Sequence, residues 1–377
     1  MSHSSVEKIK EQLDIVDVLG AYVKLEKAGG SFKGRCPFHN EKTPSFFVSP
    51  QRGSYYCFGC GAKGDMFTFV QEFEGLDFIG ALKMLAEKAG VTLEEYSPKQ
   101  TQVQGNLYAV LERATTYFEE NLKENPAAIR YLKDRGLTDE TIRFWRLGYA
   151  KNDWRHLFGT FKSLGISTEL LVESGLIKKR EGGQEDGFYD VFRGRIMFPI
   201  CDASGKVIAF SGRIFDENPD APKYLNSPET TVFNKSETLY GLHRAKMNIR
   251  KKDFAMLVEG QMDLLMCHQA GFDNAVASSG TAFTQSHLLR LKRLSNRILF
   301  VFDGDSAGFS AALKSATLAL SLGFEVKISS LPPGSDPADM ILNDFEGWSE
   351  AMKKTKHLID FHLDALLKDT KDNRQLA

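Results

Sequence analysis

The stretches FAMLVEGQMDLL (residues 254–265) and RILFVFDGD (residues 297–305) decide the fold of this chain. Each begins with a short, almost wholly apolar run, which is typical of a strand buried on both faces of a parallel sheet. Each run ends abruptly in acids, at Glu259 in the first and at Asp303 and Asp305 in the second. Strand and helix patterns alternate from residue 254 to residue 329, which predicts an α/β fold with a largely parallel sheet.

The acids that follow these runs predict a metal site. The carboxyl ends of parallel strands meet at one edge of a sheet, where ligand sites gather. A third loop, residues 332–340, adds Asp336 and Asp339. Clustered carboxylates repel one another unless cations neutralise them, and their hard oxygens suit Mg²⁺ bound to substrate phosphates. Helix capping or loop solvation remains open as the role of Asp263 and Asp305.

A second metal site is predicted near the N-terminus. The sequence has Cys-x-x-His and Cys-x-x-Cys, separated by 17 residues, with ligands Cys36, His39, Cys57 and Cys60. Two tight turns can point these side chains at one ion, and thiolates with imidazole suit tetrahedral Zn²⁺. A quartet without an open coordination position supports folding, so we predict one structural zinc ion.

Aromatic and basic residues surround this quartet. They could stack bases and bind phosphates of single-stranded nucleic acid, although half or more of the rings are expected to fill the core of the small β module. The residues concerned are Phe46, Phe47, Tyr55, Tyr56 and Phe58, with Lys33, Arg35, Lys42 and Lys63.

Composition narrows the class of protein. A formal net charge of −1 over 377 residues provides no global attraction for phosphates, so any nucleic-acid affinity must come from a local patch. Five cysteines, three of them early in the chain, favour metal binding over disulfides. The sequence has neither a long apolar run nor a secretion signal, so we expect a soluble, cytoplasmic protein with no membrane partner.

Composition shifts predict the domain boundaries. The predicted divisions are a zinc ribbon at 1–95, a flexible linker at 96–106, a mixed α+β lobe at 107–252, an α/β catalytic domain at 253–345 and a helical segment at 346–377. The linker is assigned because residues 96–106 are polar, contain Pro98 and Gly105 and lack an apolar period.

Several motifs resemble one family. CPFHNEKTPSFFV (36–48) and YYCFGCGAKGD (55–65) are similar to the zinc ribbon of bacterial and phage primases. EGxxD (259–263), DGD (303–305) and DPxD (336–339) resemble the Toprim fold. YLKDRGLTDETIRFWRLGYA (131–150), APKYLNSPET (221–230) and FNKSETLYGL (233–242) resemble the primase core. Over residues 9 to about 342, the chain is thus similar to bacterial replicative primases of the DnaG type.

The resemblance implies a DNA primase that makes short RNA primers from ribonucleoside triphosphates on single-stranded DNA, leaving an RNA–DNA hybrid. It implies catalytic acids Glu259, Asp303, Asp305 and Asp336, with Asp339 as a further ligand of Mg²⁺ or Mn²⁺. Ala338 stands where many primases have the second carboxylate of this motif. The implied nucleotide or template contacts are Arg135, Arg193, Arg195, Arg213, Lys223, Asn226 and Lys235.

Two other functions remain open at this stage. A Toprim nuclease or strand-passing enzyme would cleave DNA, and strand passage would need a nucleophilic tyrosine that no motif identifies. A non-catalytic zinc-ribbon module would keep its activity without the acids. The family also implies a replicative helicase as partner, although the usual helical docking domain does not follow residue 367, which leaves a truncated chain or a shorter relative.

Overall fold

The computed structural model describes residues 5–39, 41–76, 78–93, 98–180, 187–216, 221–278, 280, 282–302, 306–361 and 363. Contacts divide the chain into two compact units. The first comprises Met1–Val103 and Lys246–Asp253, and the second comprises Gln104–Ala245 and Phe254–Ala377. The division between residues 103 and 104 falls inside the predicted linker, and the two lobes predicted after it belong to the second unit except for residues 246–253.

The first unit is built around a small antiparallel sheet. Its elements are α1 (Ser5–Gln12), α2 (Ile15–Gly20), β1 (Glu26–Ala28), β2 (Ser31–Gly34), β3 (Phe46–Ser49), β4 (Ser54–Cys57), β5 (Lys63–Gly64), α3 (Met66–Glu74) and α4 (Phe78–Ala89). The five strands pair in sequence order. The sequence suggests one helix up to Leu19, but the helix breaks where the Asp14 side chain accepts a hydrogen bond from the Val16 amide and caps α2.

One face of this sheet forms the core of the first unit. Phe46, Val48, Tyr55 and Cys57 are buried, and Phe46 stacks on Tyr55 with ring centres 5.1 Å apart. The alternate residues of β3 and β4, Phe47 and Tyr56, are directly opposite one another on the other face. The rings of this module are therefore shared between a core and an outer surface, as expected.

The second unit contains the remaining elements. They are α5 (Pro98–Lys123), α6 (Pro126–Asp134), α7 (Asp139–Phe144), β6 (Gly148–Ala150), α8 (His156–Ser163), α9 (Thr168–Glu173), β7 (Ile177–Lys179), β8 (Phe188–Asp190), β9 (Arg195–Cys201), β10 (Val207–Ile214), β11 (Tyr224–Asn226), α10 (Leu242–Lys252), β12 (Ala255–Val258), α11 (Gln261–Gln269), β13 (Ala275–Ala277), α12 (Gln285–Lys292), β14 (Arg297–Phe302), α13 (Ser306–Ser321), β15 (Glu325–Ser330), α14 (Pro337–Asn343), α15 (Phe345–Lys353) and β16 (Lys356–His357). The first residues of α5 and the last of α10 lie in the first unit.

The predicted flexible linker is wrong from Pro98 onward, because α5 begins there. Proline suits the first turn of a helix, where its missing amide hydrogen has no partner to lose. The Lys and Gln residues that follow have favourable helix propensities even without an apolar stripe. A polar segment without apolar periodicity is therefore not evidence of an irregular backbone.

Two sheets share the largest core of the second unit. β11, β10, β9 and β6 form an antiparallel sheet in that order, and β13, β12, β14, β15 and β16 form the other. The second sheet is parallel from β13 to β15, as predicted, and β16 pairs antiparallel with β15. Phe198 of β9 and Val258 of β12 belong to one buried cluster, so the two sheets fold around common apolar contacts.

The helix predicted at the C-terminus is interrupted. The apolar pattern predicts a helix from Trp348 to Leu367, but α15 ends at Lys353, β16 follows it, and residues 358–361 and 363 are helical again. Trp348 is fully buried, which explains the apolar face of α15, while Lys356 and His357 add an exposed edge strand. No helix among the described residues is long and apolar enough to cross a membrane.

Candidate metal and nucleic-acid sites

The four predicted zinc ligands lie together. Cys36 and His39 follow β2, Cys57 ends β4, and Cys60 follows in the next turn; their ligand atoms all lie within 4.8 Å of one another. The Sγ atoms of Cys36 and Cys60 are 3.8 Å apart, and Cys57 Sγ lies 3.7 Å from His39 Nδ1. With Zn–S bonds of about 2.3 Å, two sulfurs of a tetrahedral site are separated by about 3.8 Å. The donor atoms and their spacing therefore fit Zn²⁺.

Glu41 organises this quartet from outside. Its carboxylate accepts hydrogen bonds from the amides of Cys36 and Ser45 and from Ser45 Oγ, and lies 3.3 Å from His39 Nε2. Burial raises the pKa of Glu41, but the hydrogen bonds from Ser45 and Cys36 outweigh it, so the pKa is lowered. An ionised Glu41 holds the His39 ring with Nδ1 toward the thiolates, as outer carboxylates do at zinc sites.

Replacing Glu41 by glutamine is therefore expected to weaken zinc binding without removing a ligand. Loss of such an outer partner lowers metal affinity by about 10- to 100-fold. Competition with a chromophoric chelator measures the change. Glu72→Gln is the matched control, because Glu72 also accepts a hydrogen bond within the first unit, from Tyr55 Oη, but does not contact the quartet. Equal zinc affinity of the two variants would contradict the role of Glu41.

The described acids lie at one edge of the parallel sheet. β12, β14 and β15 are neighbours, with Leu257 opposite Phe300 and Phe300 opposite Ile328. Glu259 follows β12 directly, and Asp336 begins α14 after β15. The two other predicted catalytic acids, Asp303 and Asp305, lie outside the described residues. Parallel register therefore brings the loops of Glu259 and Asp336 to the same side.

Asp263 links these two loops. It is buried in the first turn of α11; Oδ2 accepts a hydrogen bond from the Gly260 amide at 3.2 Å, and Oδ1 accepts one from the Ala338 amide at 3.3 Å. Asp263 thereby caps its own helix and braces the turn after Glu259 against the loop of Asp336. The capping role left open by the sequence is the one that these contacts support.

Asp336 and Asp339 lie at the N-terminus of α14. Asp336 is the N-cap, since its Oδ1 accepts a hydrogen bond from the Asp339 amide at 2.7 Å. Asp339 is exposed in the first helical turn. The positive end of the helix dipole favours both negative charges. That Asp336 binds a cation stays a prediction. The same holds for Asp339, which would replace the carboxylate missing at Ala338.

Arg213 is held between two tyrosines. It is 7% exposed; Nε donates to Tyr131 Oη at 2.6 Å and Nη1 donates to Tyr224 Oη at 2.7 Å. The pKa of Tyr224 is raised, mainly by burial. The positive charge of Arg213 acts in the opposite direction, and the Asp263 carboxylate adds to the increase. The exposed guanidinium of Arg135 lies 5.6 Å from the Tyr131 ring centre. Arg135 and Arg213 thus both lie near the Tyr131 ring.

Arg193 and Arg195 have different surroundings. Arg195 is 4% exposed and donates to the carbonyls of Gly212 and Pro222 at 2.9 and 3.0 Å, so it stabilises the local backbone. Arg193 lies 4.0 Å above the ring of Trp154, which is 55% exposed. A contact of either arginine with nucleic acid stays a prediction, and Arg193 is the more accessible of the two.

The remaining predicted contacts lie on and after β11. Lys223 is exposed just before this strand, and Asn226 ends it opposite Ser211. Lys235 lies in the loop between β11 and α10, half-buried. A cavity of about 220 Å³ lies behind this loop, next to the turn of Asp202 and away from the predicted acids. The loop thus has an open space on one side.

Three family models match successive parts of the chain: a CHC2 zinc finger over residues 1–101, the N-terminal domain of the DNA primase catalytic core over 117–246, and a Toprim-like domain over 256–341. The crystal structure of the Aquifex aeolicus primase, with its zinc-binding and RNA polymerase domains, is 34% identical with a TM-score of 0.65. The match covers 99% of this chain and 90% of that one. The chain belongs to the DnaG-type DNA primase family.

Other primases match most of the chain. The DNA primase of Clostridium acetobutylicum is 40% identical over 95% of this chain and 60% of its own length, and that of Deinococcus radiodurans is 44% identical over 89% and 58%. This chain thus spans about 60% of these curated relatives. A DnaG catalytic domain solved bound to single-stranded DNA is 33% identical with a TM-score of 0.62, covering 71% of this chain and 84% of that one.

The family resemblance and the predicted fold class are confirmed. Four residues that contribute to the sites were not predicted: Glu41, Tyr131, Tyr224 and Trp154. The first three lie inside the motifs that resemble primases. A polar or phenolic side chain close in sequence to a candidate site residue is the feature that could have identified them. Trp154 lies outside those motifs, and only its exposure in the fold identifies it.

Proposed function

We propose that this chain is a DNA primase, which copies single-stranded DNA into short RNA primers from ribonucleoside triphosphates. The proposal rests on one observation: a zinc-ligand quartet and an acid-bearing sheet edge occur in one chain, whose fold is similar to the zinc-binding and RNA polymerase domains of the Aquifex primase. The product is an RNA–DNA hybrid, made in the cytoplasm at the replication fork. A replicative helicase is the further partner that the family suggests.

The sheet edge supports nucleotidyl transfer. The 3′ hydroxyl of one nucleotide attacks the α-phosphate of the next, a phosphodiester bond forms and pyrophosphate leaves. Mg²⁺ or Mn²⁺, bound by Glu259, Asp303, Asp305, Asp336 and Asp339, would stabilise the negative charge that develops on the transferred phosphate. Asp263 keeps the loops of Glu259 and Asp336 together, and Arg213 and Lys235 add positive charge for phosphates.

We assign template contact to the surface formed by Trp154, Tyr189 and Arg193. The Trp154 and Tyr189 rings are 5.8 Å apart, and the Arg193 guanidinium lies 4.0 Å from the Trp154 centre and 5.4 Å from the Tyr189 centre. Arg180 is also close, 5.7 Å from the Trp154 centre. An exposed indole among guanidinium groups can stack a base while the cations bind its phosphates, without reading the base sequence.

Trp154→Ala is expected to weaken single-stranded DNA binding. Aromatic stacking contributes about 1–3 kcal/mol per base, which corresponds to roughly 5- to 150-fold in Kd. Fluorescence anisotropy of a labelled oligodeoxythymidylate measures the change. Phe144→Ala is the control, since Phe144 is 52% exposed beneath the Arg244 guanidinium, a similar arrangement on α7. Equal binding by the two variants would contradict this template surface.

The outer face of the zinc ribbon is a second DNA-contact surface. Lys33, Phe47, Tyr56 and Lys63 are paired across four strands in one row. Phe58 is 73% exposed and packs edge-on against Phe47 and Tyr56, with ring centres 5.4 and 4.8 Å away. Two lysines at the ends of an exposed aromatic row fit a single strand, whose bases stack while its phosphates meet the lysines.

The fate of the DNA separates a primase from a Toprim nuclease. End-labelled single-stranded DNA is incubated with the protein and Mg²⁺, with and without ribonucleotides, and resolved on a denaturing gel. We expect full-length DNA in both lanes, because the predicted chemistry consumes triphosphates and leaves the template backbone intact. Cleaved DNA that depends on Asp336 would overturn the primase proposal in favour of a nuclease.

A further inference from the structure

Helix α12 and its N-cap contact the loop of Lys235 at three points. Thr284 Oγ1 donates to the Ser236 carbonyl at 2.5 Å, and His287 Nε2 lies 3.0 Å from the Lys235 carbonyl. Arg290 Nη2 donates to Glu237 Oε2 at 3.0 Å. Residues three apart share one face of a helix, and the three partners on the loop are consecutive residues. One face of α12 is therefore in contact with residues 235–237.

His287 is the buried centre of these contacts. Its side chain is fully buried, and its Nδ1 accepts a hydrogen bond from the Thr284 amide at 3.2 Å. That acceptor role puts the proton on Nε2, which then donates to the Lys235 carbonyl. Burial lowers the pKa of His287 to about 4, so the ring is neutral near pH 7 and keeps this tautomer.

The two ends of the loop are anchored in the core. Phe233 and Tyr240 are buried in the apolar cluster that the two sheets share, and the Tyr240 backbone exchanges hydrogen bonds with Ala277 at the end of β13. Between these ends the loop borders the cavity of about 220 Å³, which is lined by Asn234 and Thr238 of the loop and also by Arg290 of α12. Internal hydrogen bonds give the loop a compact shape, since Asn234 Oδ1 accepts from the Ser236 amide and hydroxyl. The contacts with α12 add an attachment between the two anchored ends, at Lys235, Ser236 and Glu237.

We propose that Thr284, His287 and Arg290 are positioning residues, which hold the loop so that Lys235 meets the triphosphate of an incoming ribonucleotide. The inference rests on the proposed function, because that function gives Lys235 its nucleotide. It assigns α12 a role beyond the acid cluster, acting through the backbone of Lys235. Nothing in it requires α12 to touch the nucleotide.

The test is a charge swap between Arg290 and Glu237. Both side chains are partly exposed, 33% and 48%, so either substitution leaves the fold intact. Arg290→Glu and Glu237→Arg are each expected to weaken ATP binding about two- to fivefold, as for loss of one exposed ion pair, and the double variant to restore it. His287→Gln, which keeps a donor but loses the ring geometry, is expected to weaken binding by roughly tenfold.

Binding of fluorescent ATP in Mg²⁺ measures the effect without relying on primer synthesis. Arg297→Glu is the control, because Arg297 forms a similar exposed pair with Glu325 between β14 and β15. Thermal unfolding and DNA affinity should match the wild type in every charge variant. The expected kinetic signature is a raised KM for ribonucleotides with little change in kcat.

The inference would be overturned if the wild-type protein did not bind ATP, or if the singly substituted variants bound ATP as the Arg297→Glu control does. Single-variant losses that the double variant does not restore would also contradict it. A further result is possible: the wild-type protein binds ATP, the charge swap restores binding as predicted, and no RNA is made. This result would support the positioning role. In that case the proposed primase function alone would fail.

Discussion

Cys57→Ala is expected to abolish stoichiometric zinc binding and to unfold the ribbon. Cys57 is fully buried beside Phe46 and Tyr55, so losing the metal also opens the small core that these rings share. Structural zinc contributes apparent binding free energies of about 10–16 kcal/mol in small zinc modules, more than the few kcal/mol that so small a core supplies. Metal analysis of the full-length protein measures the bound zinc, and limited proteolysis measures the cleavage within residues 5–93.

Cys201→Ala is the matched control for this substitution. Cys201 is a half-buried thiol at the end of β9 in the second unit, and burial raises its pKa to about 12, so it remains a protonated thiol. This variant should keep one zinc ion per chain and resist proteolysis like the wild type. Retention of one zinc ion by Cys57→Ala would contradict the assigned ligand set.

Asp336→Asn is expected to remove nearly all primer synthesis while leaving DNA affinity unchanged. Asparagine keeps the side-chain oxygen that caps α14 through the Asp339 amide, so the variant removes a charge and little structure. Loss of a metal ligand should exceed the about 10- to 100-fold effect of removing a partner that only orients one. Incorporation of labelled ribonucleotides on a single-stranded template measures the loss.

Asp344→Asn is the matched control for the acid. Asp344 caps α15 in the same way, accepting a hydrogen bond from the Gly347 amide at 3.0 Å, but it follows α14 instead of preceding it. This variant should synthesise primers at the wild-type rate. Similar activities of the Asp336→Asn and Asp344→Asn variants would mean that Asp336 acts as a helix cap alone, and the metal role would be wrong.

Much of the second unit could be predicted because its central strands leave no ambiguity. Residues 255–258 and 298–301 are buried apolar runs that end shortly before acids, and parallel topology then requires the following loops to share an edge. The break at Asp14 and the helix from Pro98 were missed for local reasons. Asp14 ends one helix and caps the next while the spacing of the apolar residues stays helical, so the break does not show in the pattern. The polar residues after Pro98 form a helix although they have no apolar periodicity.

The contacts that refine the sites could not be predicted because they join distant positions. Trp154 meets Arg193, and Lys235 meets His287, across long stretches of sequence that only the folded chain brings together. Burial also separates residues that look alike in sequence. Arg195 and Arg213 are buried and hydrogen-bonded, whereas Arg135 is exposed, although the family resemblance implies the same kind of contact for all three.

Template-dependent RNA synthesis tests the central proposal most directly. The protein is incubated with single-stranded DNA, Mg²⁺ and labelled ribonucleotides, beside the Asp303→Ala variant, and the products are resolved on a denaturing gel. The account predicts short, alkali-labile RNAs that require the template and disappear in the variant. Cleaved template without RNA, or DNA binding that is never accompanied by an RNA product, would contradict it.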